Sequence, residues 1–292
     1  MISLGLSGLF HDSSASLVVN GAVVAAVHEE RHSRVKHDAR FPINALNQCL
    51  EISGLNLSEV DEIIWYEDID KKQQRNRELI SRNFPNSFSL FRRIKSVEFK
   101  SNANLVNYLR NEIGYRGNIQ FSKHHESHFL STLPLNIKNY EKILGIVLDG
   151  VGEYQSCSAW LYSAKGFKLV WERNLPNSLG LLYGAVTQIV GFEVNDGEYK
   201  TMGLASYGIP KFSERILSDV FSQFGLDFEI RPEYLNLLSS DVQFKSKLLK
   251  VFCSFFIKRA VPSGELSSII SIFVSGKLVH NFGIKFSAFL YS

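Results

Sequence analysis

Residues 143–174 read ILGIVLDGVGEYQSCSAWLYSAKGFKLVWERN. An apolar run from Ile143 to Leu148 enters an acidic, glycine-bearing turn, and two further apolar runs follow, joined by a short turn containing Gly166. Short apolar runs separated by glycine-containing turns predict strands rather than helix. The first thirty residues follow the same plan. Ile2–Leu6 is apolar, GLFHDSS forms a polar turn, and ASLVV and AVVAAV flank Asn20-Gly21. Asn-Gly between two apolar runs is the strongest short-range hairpin signal, because both central residues of a type I′ turn need positive φ. Strand, acidic turn, strand, turn, strand thus occurs twice, about 140 residues apart. Two unrelated hairpins would produce the same local pattern; an internal duplication accounts for both copies at once. Two half-domains built this way can face one another across a cleft, with a nucleotide phosphate and its metal held between the turns by backbone N–H groups and carboxylates.

Helices fill the intervals. The pattern predicts one from about Pro42 to Ser53, stopped by Gly54, a second over ANLVNYLRNEIG, and a third over LLYGAVTQIVGF. EIIWY reads as a buried strand. Residues 71–100 are polar and basic with scattered aromatics, a helical or irregular surface insertion. VNDGEYKTMGLASYG carries three glycines within twelve residues and reads as a loop whose backbone approaches a ligand.

Bulk properties narrow the function classes. With 292 residues and 45% hydrophobic content, one large domain or two ordinary ones can form real cores. The three cysteines, Cys49, Cys157 and Cys253, are far apart and show no CxxC or zinc-type spacing, as expected of a reducing cytoplasm. The opening MISLGLSGLFHDSS lacks the charged-then-apolar order of a signal peptide. No apolar run approaches the ~20 residues of a membrane helix. The net charge of +3 is uneven: seven basic residues and one acid lie in 245–292, so residues 1–244 are mildly acidic. Charge therefore gives no support to a nucleic-acid partner.

Three short stretches carry chemistry. HDSS puts His11 and Asp12 at a strand end, and an imidazole with an ordinary pKa near 6.5 is suited to general-base work. FSKHHESHFLST holds three of the eight histidines; His124 and His128 are four apart and share one helix face. A helix start with partly buried histidines is the plain alternative. LDGVGE adds Asp149 and Glu153 at the next strand end, and two imidazoles with one carboxylate form an ordinary ligand set for iron, manganese or zinc.

Taken in order, LGLSGLFHDSSASLVVNG, EERHSRVKHDARFP, HHESHFLST, IVLDGVGE, SLGLLYGAVTQIVGF and VNDGEYKTMGLASYG resemble the carbamoyltransferase family of nodulation-factor and antibiotic biosynthesis over most of residues 1–210. The resemblance implies an α/β, duplicated actin/Hsp70-like (ribonuclease H-like) ATPase fold, in the branch shared with threonylcarbamoyl-transfer proteins, with its second half incomplete. It implies an O-carbamoyltransferase in which carbamoyl phosphate and ATP give carbamoyladenylate. The carbamoyl group then passes to a hydroxyl of a sugar or antibiotic-like acceptor. His124, His128 and Asp149 would bind iron or a similar divalent ion. His11, with Asp12 beside it, would take the proton from the attacking hydroxyl. Gly150, Gly152, Glu153, Gly197, Glu198 and Lys200 would line the nucleotide or phosphate cleft. His125 would be a structural neighbour or a replacement ligand. Arg34, Lys36 and His37 would either reach the pocket or form a solvated turn.

The pattern departs from the family near residue 240. The expected organisation is a first actin-like half at 1–135, the start of a second half at 136–240, and an aberrant, truncated or frame-shifted tail at 241–292, with the carbamoyladenylate-forming domain absent. The alternatives are a non-catalytic metal- or nucleotide-binding remnant and a sugar kinase on the same superfold. The expected partner is a small hydroxyl-bearing acceptor, with no nucleic acid and no membrane.

Overall fold

In the computed structural model, which describes residues 1–136, 140–209, 213–224, 227–238 and 244–256, the Asn20-Gly21 pair makes the turn its sequence demands. Both residues have positive φ, 51° and 81°. They join strands β2 (Ser14–Val19) and β3 (Ala22–His28) in antiparallel register. Strand β1 (Ile2–Ser7) pairs antiparallel with β2 and parallel with β4 (Glu62–Trp65), which in turn pairs parallel with β5 (Asn118–Phe121). The sheet order is β3-β2-β1-β4-β5. Parallel neighbours need long crossovers. Here these carry α1 (Glu30–Ser33) and α2 (Ile43–Ser53) before β4, then α3 (Ile69–Asn83), α4 (Phe88–Lys95) and α5 (Asn102–Asn111) before β5. Residues 71–100 thus fall largely within helices. Helix α6 (His124–Asn136) follows β5 almost at once.

The core of this first unit follows the two periodicities. Leu4 and Leu6 on β1, Ala15 and Leu17 on β2, and Ile63 and Trp65 on β4 are buried at every second position. Ala45, Leu46 and Cys49 on α2, with Leu105 and Leu109 on α5, bury helix-spaced stripes into the same cluster. Fully burying each such leucine or isoleucine contributes about 1.5–3 kcal/mol. Glu29, 2% exposed, ties the elements together. Its carboxylate accepts hydrogen bonds from the Ala45 N–H (2.8 Å) and the Asn44 amide (2.6 Å), where α2 lacks a cap side chain.

The chain divides into two units: Met1–Gly145 with Gly152–Tyr154 and Tyr162–Gly166, and Ile146–Val151 with Gln155–Leu161 and the residues from Phe167 onward. Three consecutive neighbouring strands, β6 (Ile143–Leu148), β7 (Gln155–Ser163) and β8 (Gly166–Asn174), in the order β6-β7-β8, contribute most of their residues to the second unit. Helices α7 (Leu179–Ile189), α8 (Glu198–Ala205) and α9 (Ser213–Val220) follow. A short pair, β9 (Phe221–Phe224) and β10 (Asp227–Ile230), and helix α10 (Ser246–Phe256) come last. Cys157, Leu182, Val186, Ile216, Phe228 and Leu248 lie in its core. This α/β architecture with a repeated strand opening agrees with the actin-like expectation.

One expectation is corrected. VNDGEYKTMGLASYG is not an open loop, because Glu198–Ala205 forms α8. The Glu198 carboxylate accepts the Asn195 N–H at 3.0 Å, and the run that follows contains enough helix formers to carry Gly203. The aberrant stretch expected at 241–292 lies, from residue 257 on, outside the described residues. Among the described residues, no helix is long and apolar enough to cross a membrane.

Candidate functional site

Ligand sites in open α/β sheets collect beyond the carboxyl ends of the parallel strands. In the first unit all three such ends bear the residues in question. His11 and Asp12 follow β1, Glu67 follows β4, and His124 follows β5.

At the end of β1 the Asp12 carboxylate joins two imidazoles. His11 Nδ1 lies 2.8 Å from Asp12 Oδ2, and His37 Nδ1 lies 2.9 Å from Asp12 Oδ1. Burial alone raises the Asp12 carboxyl, but hydrogen bonds from His37 and His11 and the charges of both rings outweigh it and hold it below the ordinary range. An ionised carboxylate only accepts, so the facing Nδ1 of His11 is the donor in this contact. Leu9, Asp12, Arg34 and His37 all have positive φ, which side chains adopt at a cost. Two backbone bonds hold the loops in this shape: Leu9 N–H to the Ala39 carbonyl (2.8 Å) and Ser13 N–H to the Asp38 carbonyl (2.9 Å). His37 is thus held against Asp12 by its Nδ1 hydrogen bond, with its side chain partly exposed. Ligand atoms of Asp12, Glu30 and His37 lie within 4.8 Å of one another.

At the end of β5, α6 begins with the histidine cluster. The i, i+4 spacing brings His124 Nε2 and His128 Nε2 to 3.1 Å. A cation bonded to each nitrogen at about 2.0–2.1 Å spans such an edge. The paired donors thus fit a divalent ion of the class that imidazole and carboxylate bind. His125 is fully buried, on the core side of the helix, and its ring centroid is 6.1 Å from that of His124. Its burial fits the structural-neighbour reading.

Glu153, expected to line the nucleotide cleft, accepts the backbone donors at the start of α6. It is 6% exposed, and its Oε1 accepts the Asp68 N–H (2.8 Å) and the His124 N–H (3.0 Å). A carboxylate at a helix N-terminus satisfies its open donors and favours its dipole. Neighbouring Gly152 packs against the same turn: a Cβ there would sit 3.0 Å from His124 Cβ. Arg75 donates to the Gly152 carbonyl.

In the second unit Asp149 ends β6. Its N–H donates to the Ser156 carbonyl (3.0 Å), and its own carbonyl accepts the Ser178 hydroxyl (3.0 Å). Ser178 also donates to the Gly150 carbonyl (2.6 Å) and accepts the Leu181 N–H (3.0 Å), so it caps α7 while holding the acidic turn against it. Gly180 makes this approach possible, since a Cβ there would fall 2.4 Å from the Asp149 carbonyl. Gly197 caps α8, and Lys200 pairs with Asp196 at 3.3 Å. Tyr183 donates to the Glu198 carbonyl (3.2 Å); burial, then the Glu198 charge, pushes its phenol up to about 12.

Sequence reasoning missed Glu67, Glu29 and the capping role of Glu153, and it left His37 undecided between the pocket and a solvated turn. Of these, Glu67 had a usable signal, its place two residues after the strand EIIW.

Comparison with known proteins is consistent across sequence and family. A model of the carbamoyltransferase N-terminus matches residues 2–280. An uncharacterised protein of Synechocystis sp. is 36% identical over 260 residues, 85% of this chain and 42% of that protein. The nodulation protein NolNO of Sinorhizobium fredii is 32% identical over 243 residues, 77% of this chain and 33% of that protein. The chain thus spans about a third to two fifths of the length of these relatives. Among solved structures, YeaZ from Pseudomonas aeruginosa superposes with a TM-score of 0.33 at 13% identity, covering 60% of this chain and 67% of that one. The Ppx/GppA phosphatase of Aquifex aeolicus gives 0.35 at 11% identity, covering 97% and 93%.

Proposed function

The chain belongs to the family of carbamoyltransferase N-terminal domains, and from that premise we propose that it is the transfer half of an O-carbamoyltransferase. Its substrates in this reading are carbamoyladenylate and a small acceptor with a free hydroxyl. Making the donor from carbamoyl phosphate and ATP falls to sequence outside the actin-like span.

The observation that carries the reading is the His11–Asp12 contact of 2.8 Å. Asp12 fixes the tautomer of His11 and stabilises the imidazolium that forms when Nε2 takes a proton. His11 is 43% exposed on its side chain, accessible to a small acceptor. The acceptor hydroxyl loses its proton to Nε2 as its oxygen bonds the carbamoyl carbon. The bond from that carbon to the phosphate oxygen breaks, and AMP leaves with the electron pair. His124 and His128, with Asp149 as the resemblance assigns it, would hold a divalent ion, iron or one like it. When bound, such an ion would supply Lewis acidity for the transfer. Gly150, Gly152, Gly197, Glu198 and Lys200 are assigned to the nucleotide side of the cleft, Lys200 as countercharge to phosphate.

The test supplies preformed carbamoyladenylate and a panel of aminoglycoside- and sugar-type acceptors to the purified chain, and follows carbamoylated product by mass spectrometry. Substituting His11→Ala should lower kcat by about 10²–10⁴-fold, the usual worth of a positioned base. Donor-dependent product formed equally well without His11 would defeat the assignment.

A further inference from the structure

Glu67 stands at the end of β4, beyond the residues that the proposed chemistry uses. It is 3% exposed, unusual for a carboxylate. Both its oxygens accept from the Lys72 ammonium, at 2.7 and 3.0 Å. Its Oε2 also lies 3.9 Å from His124 Nδ1, on the side of the ring opposite the His128-facing nitrogen. Tyr66 packs edge-on against that imidazole, with ring centroids 5.4 Å apart, and the His124 side chain is 14% exposed.

We propose that Glu67 is the positioning residue of the His124 ligand and that Lys72 moderates it. The inference rests on the reading of His124 and His128 as cation ligands. A histidine that binds a metal through one nitrogen characteristically gives its other N–H to a carboxylate, which fixes the tautomer and strengthens the donor. Glu67 stands on that side. At 3.9 Å the contact is electrostatic and not a hydrogen bond, because Lys72 holds the carboxylate. The ammonium therefore limits how much negative charge reaches the ring. Lys72 also lies 5.6 Å from the Phe10 ring centroid, and the Phe10 and His11 ring centroids are 4.7 Å apart. The Glu67–Lys72 pair thus stands between the β1 and β5 ends of the site.

The experiment titrates the full chain with Zn²⁺ alone, a redox-silent probe, against a chromophoric chelator at fixed pH. In Glu67→Gln, which keeps the side-chain shape, affinity should fall about 10–100-fold. In Lys72→Met the released carboxylate can close on His124 Nδ1, so affinity should stay equal or rise. Opposite signs at two contacting residues separate positioning from bracing. Equal weakening by both substitutions, matched by equal losses of Tm, would overturn the inference. So would Glu67→Gln binding within twofold of the parent chain. His128→Ala separates the two levels: if it abolishes binding while Glu67→Gln changes nothing, only the role of Glu67 fails. If the parent chain binds no Zn²⁺, or His128→Ala leaves binding intact, the ligand reading and the inference fall together.

Discussion

Replacing Glu153 by alanine tests how the second acidic turn supports the histidine helix. Glu153 Oε1 takes two backbone donors, the N–H of Asp68 at 2.8 Å and that of His124 at 3.0 Å, and Oε2 approaches the latter at 3.2 Å. Alanine leaves both donors open in a buried setting. Each unsatisfied buried donor costs about 1–3 kcal/mol, and losing a cap at the start of a 13-residue helix falls in the same range. Water entering the vacated space reduces the sum, giving an expected loss of about 2–5 kcal/mol. Glutamine is milder. Its carbonyl oxygen at the Oε1 position keeps both bonds, while its NH₂ at the Oε2 position faces a donor, so about 1–2 kcal/mol is lost. Urea unfolding followed by far-UV circular dichroism measures both variants against the parent. Alanine within about 0.5 kcal/mol of the parent, or glutamine more damaging than alanine, would show that the carboxylate does not hold the turn.

Two further outcomes follow from the structure. Gly180→Ala drives a Cβ to 2.4 Å from the Asp149 carbonyl and should cost about 1–3 kcal/mol by urea unfolding; stability equal to the parent would mean that α7 and the acidic turn are not in close contact. Asp38, 2% exposed, is held well below the ordinary carboxylate range by its hydrogen bond with Arg40, against the opposing effect of burial. A carboxyl depressed on folding adds stability that is full above its unfolded pKa near 3.8 and drains as pH falls through the folded value. The parent should therefore lose urea resistance more steeply below about pH 4 than Asp38→Asn does; parallel slopes would contradict this.

Much of the fold could be read from local chemistry. Asn20-Gly21 marked the first hairpin, and Gly54 marked the end of α2. The segment at 198–205 was misread because its glycines were weighed and its helix formers were not. His124 and His128 were legible as a pair because helix geometry alone brings i and i+4 together. The partners of that pair were not. Glu153 is 29 residues from His124 in sequence and Glu67 is 57 away, and neither spacing belongs to a local motif. His37 reaches Asp12 across 25 residues, through two loops whose backbone shape no propensity predicts. Local physics indicates helices and turns; long-range carboxylate pairing becomes visible only once the strand ends have been brought together.

The left-handed backbone at Asp12 and His37 also bears on the history of such a chain. Glycine would relax either position and gain stability, at the price of the two imidazole contacts. Selection for folding alone would therefore erode these two positions early, while under the proposed function selection for turnover would hold them. Sequencing this locus across sister strains would make Asp12 and His37 a record of use: glycine or asparagine drifting in at both marks a lineage in which the reaction has lapsed.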